Sequence, residues 1–140
     1  MAEAIGRREA IERGLLGFDV ESAGTSAWDG APASDGSLLV ALERHLDLAN
    51  HRARSLTRDL VRAADLILVM SPNHLERALS LGGEGKAVLL SAFATGGEGV
   101  AISDPFGGDL AGYRATADEL TTYVRSVFDR LTRDRAATSA

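Results

Sequence analysis

The run Ile102-Ser103-Asp104-Pro105-Phe106-Gly107-Gly108-Asp109 holds the most chemically suggestive spacing in this chain. A carboxylate is fixed from behind by proline and followed by an aromatic ring and two glycines. Pro105 removes a backbone donor and Gly107-Gly108 accept backbone angles that other residues resist, so the run reads as a loop. A carboxyl on a stiff loop beside an apolar ring suits a general acid: the ring raises its pKa by desolvation, and proline limits where it points. The same residues also describe an ordinary surface turn.

Other side chains that could join such a site are few. Trp28 is the only large apolar residue in a loop of small residues from Gly24 to Asp35, and it reads either as a packed anchor or as the wall of a pocket. Ser22 reads as a strand hydroxyl, and His51 as a structural or exposed histidine in a connection. His45, His51 and His74 are too spread for metal-ligand spacing, so no metal is expected. The sequence contains no cysteine.

The elements that must position these residues alternate in type. Ala4, Ile5, Ile11 and Leu15 recur at helical spacing from Ala2 to about Gly14. Phe18-Asp19-Val20-Glu21-Ser22-Ala23 alternates as a strand does. Ser34 is placed to cap a second helix with Leu38, Leu39, Leu42 and Leu46 on its buried face, and Thr57 a third with Leu60 and Val61 inward. Leu66 to Met70 is an unbroken apolar run, the mark of a parallel strand covered on both faces. Ser71-Pro72-Asn73 opens a helix that Gly82 to Gly85 ends. Ala87 to Leu90 is a further buried strand, and Thr95 to Gly99 a flexible segment. A last helix is predicted from about Asp109 to Arg133, with Tyr113, Ala117, Leu120, Val124, Val127 and Leu131 in one stripe and a frayed tail from Arg135 to Ala140. This order predicts an α/β fold, a small parallel sheet with helices on both faces.

Composition narrows the function classes. At 140 residues the chain is expected to form a single domain that buries about two-thirds of its unfolded surface. A net charge of -5 with scattered arginines argues against a nucleic-acid binder, which needs a basic face. No apolar run approaches the roughly 20 residues of a membrane helix, and the charged opening segment lacks a signal peptide's apolar region, so a cytoplasmic protein with no membrane partner is expected.

Met1-Ala2-Glu3-Ala4, Ser22-Ala23-Gly24-Thr25, His51-Arg52-Ala53-Arg54-Ser55-Leu56-Thr57, Ala64-Asp65-Leu66-Ile67-Leu68-Val69-Met70 and Asp104-Pro105 follow one another in an order that resembles the low-molecular-weight protein tyrosine phosphatases. The resemblance covers nearly the whole chain. It implies the family's four-stranded sheet and a phosphoprotein phosphatase that needs no cofactor. It makes Asp104 the general acid and base, lets Trp28 and Phe106 line the substrate pocket, and makes Ser22 and His51 supports of the phosphate-binding loop. Asp-Pro-Phe-Gly-Gly is similar to the protein arginine phosphatases of this fold, whereas Trp28 is a tyrosine-type feature. The implied partner is therefore a phosphorylated protein bearing phosphoarginine or phosphotyrosine; oligomeric state is not readable.

One part of the family pattern has no counterpart in residues 1–140: the first, central strand and the C-x5-R-S loop that it enters, with the nucleophilic cysteine and the loop arginine. The expectation is a single low-molecular-weight phosphatase-like domain over residues 1–140, truncated at its N-terminus. Such a chain is expected to be inactive alone, with its first helix starting in solvent, and to be poorly stable unless its sheet closes the gap another way. The alternative is a non-catalytic, phosphatase-like binding protein.

Overall fold

The computed structural model describes residues 1–15, 17–25, 30–48, 51–97, 99–102 and 108–139, the last six by backbone alone. In chain order they form α1 (Ala2–Glu12), α2 (Asp35–Glu43), α3 (Arg58–Ala63), β1 (Ile67–Val69), α4 (Pro72–Ser80), β2 (Ala87–Leu89), α5 (Leu90–Thr95) and α6 (Leu110–Ser139). The architecture is α/β, as the alternation of elements requires.

Strand β1 pairs with β2 in parallel, in the register Ile67 to Ala87, Leu68 to Val88 and Val69 to Leu89. Parallel pairing forces a crossover, and α4 supplies it. The ladder is shorter than the apolar run Leu66 to Met70 suggests. Val69 is buried but Ile67 and Leu68 are only partly covered, so β1 is not enclosed on both faces.

Local capping sets the helix starts. Ser34 Oγ accepts the Ser37 N–H, Thr57 Oγ1 the Leu60 N–H, and Ser71 Oγ the His74 N–H, each satisfying a donor that the first helical turn leaves free. Helix α1 has no side-chain cap. It carries the pairs Glu3–Arg7, Arg8–Glu12 and Glu9–Arg13 at helical spacing instead.

Helix α6 is the spine, with α1, α2 and α5 packed along it. Its stripe continues the core through Leu120, Val124, Val127 and Phe128, joined by Ile5, Ala10, Leu90 and Ile102. Nearer its start, Tyr113 and Ala117 enclose Val40. Contrary to the tail expected beyond Arg133, the helix runs to Ser139.

Several expectations about faces change. Helix α1 buries Ile5, Gly6, Glu9 and Ala10 and leaves Ile11 exposed. Its start is not in solvent: Met1 packs against both core clusters. Helix α2 buries Val40 and Ala41, while Leu39 and Leu42 are exposed. The cause is Gly36, where any Cβ would overlap the Tyr113 ring. That close approach turns the Gly36–Val40 edge inward and the leucines out. Helix α5 follows β2 without a break, so Leu90 ends up in a helix instead of the strand.

The segment from Phe18 to Ala23 is not a laddered strand. Its backbone is met by side chains: Arg7 Nε donates to the Val20 carbonyl at 2.9 Å, Glu3 Oε1 accepts the Ser22 N–H at 2.9 Å, and Arg54 Nε donates to the Ser22 carbonyl at 3.0 Å. Only at Gly24 does a parallel bridge form, to Ser55. Charged side chains thus satisfy groups that a neighbouring strand would otherwise pair.

Candidate active site

Glu3 stands in the first turn of α1, where a negative charge is favoured by the helix dipole. Its carboxylate gathers residues from two distant segments. Oε1 accepts the Ser22 N–H and lies 3.4 Å from Ser22 Oγ, while Oε2 faces His51 Nδ1 at 3.4 Å. Arg7 approaches Oε1 at 3.7 Å from the next turn. Ser22 and His51, both singled out in the sequence, therefore meet on one carboxylate. Glu3 belongs to the Met1-Ala2-Glu3-Ala4 match but carries no role there, because nothing local joins it to Ser22 or His51.

The surroundings are polar and charged. Arg54 holds the Ser22 carbonyl and pairs with Glu21 at 3.0 Å. Arg52 donates to the His51 carbonyl at 2.7 Å. Glu3, Arg7, Glu21, Ser22, Asp47, His51, Arg52 and Arg54 enclose an open cleft of about 350 Å³. Burial by the neighbouring core lowers the pKa of the Met1 amine, against the opposing pull of the Glu3 charge.

The segment after His51 also fixes the residues on either side of the stretch that contains Trp28. Gly24 N–H donates to the Arg54 carbonyl and Leu56 N–H to the Gly24 carbonyl, both at 2.9 Å. On the far side, Gly30 N–H donates to Ala53 and Ala53 N–H to Ala31, both at 2.7 Å. Trp28 itself lies outside the described residues, as do Asp104 and Phe106.

The residues on either side of the segment that holds Asp104 are likewise tied. Ile102 N–H donates to the Met70 carbonyl at 2.8 Å, just past the carboxyl end of β1. In open parallel sheets, ligand sites form outside the carboxyl ends of the strands. On the other side, Asp109 Oδ1 accepts the Gly112 N–H at 2.8 Å and so caps the start of α6. Among the described residues no three His, Asp or Glu side chains converge as metal ligands, and no helix is long and apolar enough to cross a membrane.

This chain belongs to the low molecular weight phosphotyrosine protein phosphatase family, whose model matches residues 1–137. It is 36% identical over 137 residues to a protein-arginine-phosphatase of Bacillus subtilis (strain 168), covering 96% of this chain and 89% of that one. It is 39% identical over 89 residues to the low molecular weight protein-tyrosine-phosphatase Wzb of Escherichia coli (strain K12), covering 62% of this chain and 58% of that one. Among solved structures, the YwlE arginine phosphatase from Geobacillus stearothermophilus superposes with a TM-score of 0.87 at 29% identity, over 97% of this chain and 86% of that one.

Proposed function

We propose that this chain is the body of a protein phosphatase that acts on phosphorylated proteins, with phosphoarginine preferred to phosphotyrosine. The observation that supports it is the meeting of Ser22 and His51 on Glu3, in the first turn of the helix that follows the phosphate loop in the resembled family. The preference rests on Asp-Pro-Phe-Gly-Gly at residues 104–108 and on the arginine phosphatase that aligns with almost the whole chain.

In this reading a cysteine thiolate attacks phosphorus in line and the bond from phosphorus to the leaving nitrogen or oxygen breaks. Asp104 gives its proton to that leaving atom. The resulting carboxylate then takes a proton from water, which attacks the phosphocysteine and releases phosphate with the thiolate restored. Trp28 and Phe106 line the substrate pocket, and the Ser22–Glu3–His51 cluster supports the anion loop. Residues 1–140 hold no cysteine, so this reading takes the thiolate from the strand and C-x5-R-S loop of the family pattern, which these residues do not include.

The 140-residue chain is expected to show no hydrolysis of p-nitrophenyl phosphate. Joined ahead of Met1 to such a strand and loop, it is expected to turn over, with Asp104→Asn lowering kcat by about 10²- to 10⁴-fold. The lack of cysteine also favours a second reading, a non-catalytic relative that holds phosphorylated protein through the same face. Failure of the extended chain to hydrolyse any phosphoester or phosphoarginine, together with retained binding of phosphorylated protein, would select it.

A further inference from the structure

Among the described residues Glu9 is the one charged residue that is buried, at 9% exposure, and the catalytic reading does not use it. A carboxylate so placed needs cationic partners. Arg13, at the carboxyl end of α1, supplies the nearer one: its Nε donates to Glu9 Oε1 at 2.8 Å. Arg125 of α6 stands 3.6 Å from the other oxygen. The remaining faces of the Arg13 guanidinium all meet α6. Nη1 donates to Asp129 Oδ1 at 2.8 Å, Nη2 donates to the Arg125 carbonyl at 3.3 Å, and Cζ lies 5.9 Å from the centre of the Phe128 ring.

The other end of the same helix carries the candidate site. Between the two, α1 runs against the segment from Phe18 to Ala23 at successive points. At Gly6 a Cβ would come within 2.9 Å of Val20 Cγ1, so the helix lies directly against that residue. Arg7 Nε donates to the Val20 carbonyl, and Glu3 Oε1 accepts the Ser22 N–H. The spacing from Glu3 to Glu9 sets the two carboxylates about 120° apart around the helix axis. One helix therefore turns a buried carboxylate toward α6 and the site carboxylate toward Ser22 and His51, and any rotation or slide that relieves the first displaces the second.

We infer that Arg13 is a positioning residue for the Ser22–Glu3–His51 cluster: by holding Glu9 against α6 it sets the rotation and height of α1 at which Glu3 reaches Ser22 and His51. This rests on the assignment of that cluster to the phosphatase site above. A planar fork suits the task, since it meets a carboxylate on α1, a carboxylate and a carbonyl on α6, and a ring at once. Without it Glu9 keeps only the more distant Arg125, and a buried carboxylate left in that state is drawn toward solvent, carrying its helix with it.

The test is made by NMR on the 140-residue chain, read at the exchange rate of the Ser22 amide and at the imidazole signals of His51. In Arg13→Ala the Ser22 amide is expected to exchange at least about tenfold faster and the His51 signals to move, while the amides of β1 and β2 keep their rates. Removing the buried charge as well, in Glu9→Leu/Arg13→Ala, is expected to return both readouts toward the parent, because leucine there needs no cation. Should Arg13→Ala fail to fold, Asp129→Asn carries the same test at a side chain that is 62% exposed, with a smaller expected displacement. Ser22 exchange and His51 signals that stay at their parent values overturn the inference, as does a uniform rise in exchange across the chain, or a double variant that remains displaced. The phosphatase assignment fails separately: His51→Ala without effect on kcat in the extended chain removes the cluster from the site but leaves the Arg13 displacement intact.

Discussion

Glu3 and His51, 48 positions apart in the chain, face each other Oε2 to Nδ1 at 3.4 Å, and the other oxygen of the same carboxylate takes the Ser22 N–H. One side chain in the first helical turn therefore ties α1 to two segments without regular structure. Glu3 is only 14% exposed, so the contacts are sheltered from solvent competition. Backbone pairing between the two segments is confined to isolated bridges such as Gly24 to Ser55, and this carboxylate adds to them at Ser22 and His51.

Glu3→Ala is expected to cost about 1–3 kcal/mol, since it leaves the Ser22 N–H without its acceptor in a sheltered position. Glu3→Gln keeps an acceptor oxygen of similar reach and is expected to cost less. Urea unfolding of the three proteins measures the difference. Equal midpoints for Glu3→Ala and the parent would show that the cluster contributes nothing to the fold.

What the sequence disclosed and what it concealed divide along physical lines. Ser34, Thr57 and Ser71 act on donors within three residues, so the starts of α2, α3 and α4 were legible. Helix α5 was not: it has six residues, no side-chain cap and no gap after β2. The inward face of α2 was misread because four leucines suggest a stripe, while the decisive fact is a glycine under a ring contributed by a helix far along the chain. The Ser22 and His51 readings came from family likeness, and no local pattern could have joined them to Glu3. Asp104, Trp28 and Phe106 lie outside the described residues, so for those three the sequence remains the source.

Gly36 marks the tightest approach between α2 and α6. Gly36→Ala should gain helix propensity of about 1 kcal/mol at an open site. Here its methyl would overlap the Tyr113 ring, and overpacking of this kind costs about 1–3 kcal/mol. The net expectation is a lower Tm. Trimming the ring in Gly36→Ala/Tyr113→Leu should return part of the loss, a coupling that a double-mutant cycle reads directly.

The exchanged roles of Val40 and Leu42 give a sharper contrast. Val40 is fully buried between Tyr113 and Ala117, whereas Leu42 is 74% exposed. Val40→Ala removes two carbons and opens a void, at a cost of about 2–3 kcal/mol. Leu42→Ala is expected to stay within about 0.5 kcal/mol of the parent. Parallel denaturant titrations decide it, and the reverse order would place the leucine stripe inward after all.

The Met1 amine makes stability depend on pH in a definite direction in a polypeptide that begins at this residue. Burial lowers its pKa below the ordinary 8.0. Between the folded and unfolded values the unfolded chain binds more protons, so stability rises with pH across that window. The penalty is fully present below the folded value, where the amine must be charged in both states, and is gone above 8.0. Acetylation of the amine removes the titrating group. Unfolding midpoints of the free and acetylated chains, measured from pH 6 to 9, are therefore expected to converge differently: the free chain gains stability relative to its acetylated form as pH rises. A difference that stays constant over the range would mean that the amine is as well hydrated in the folded protein as in the unfolded one.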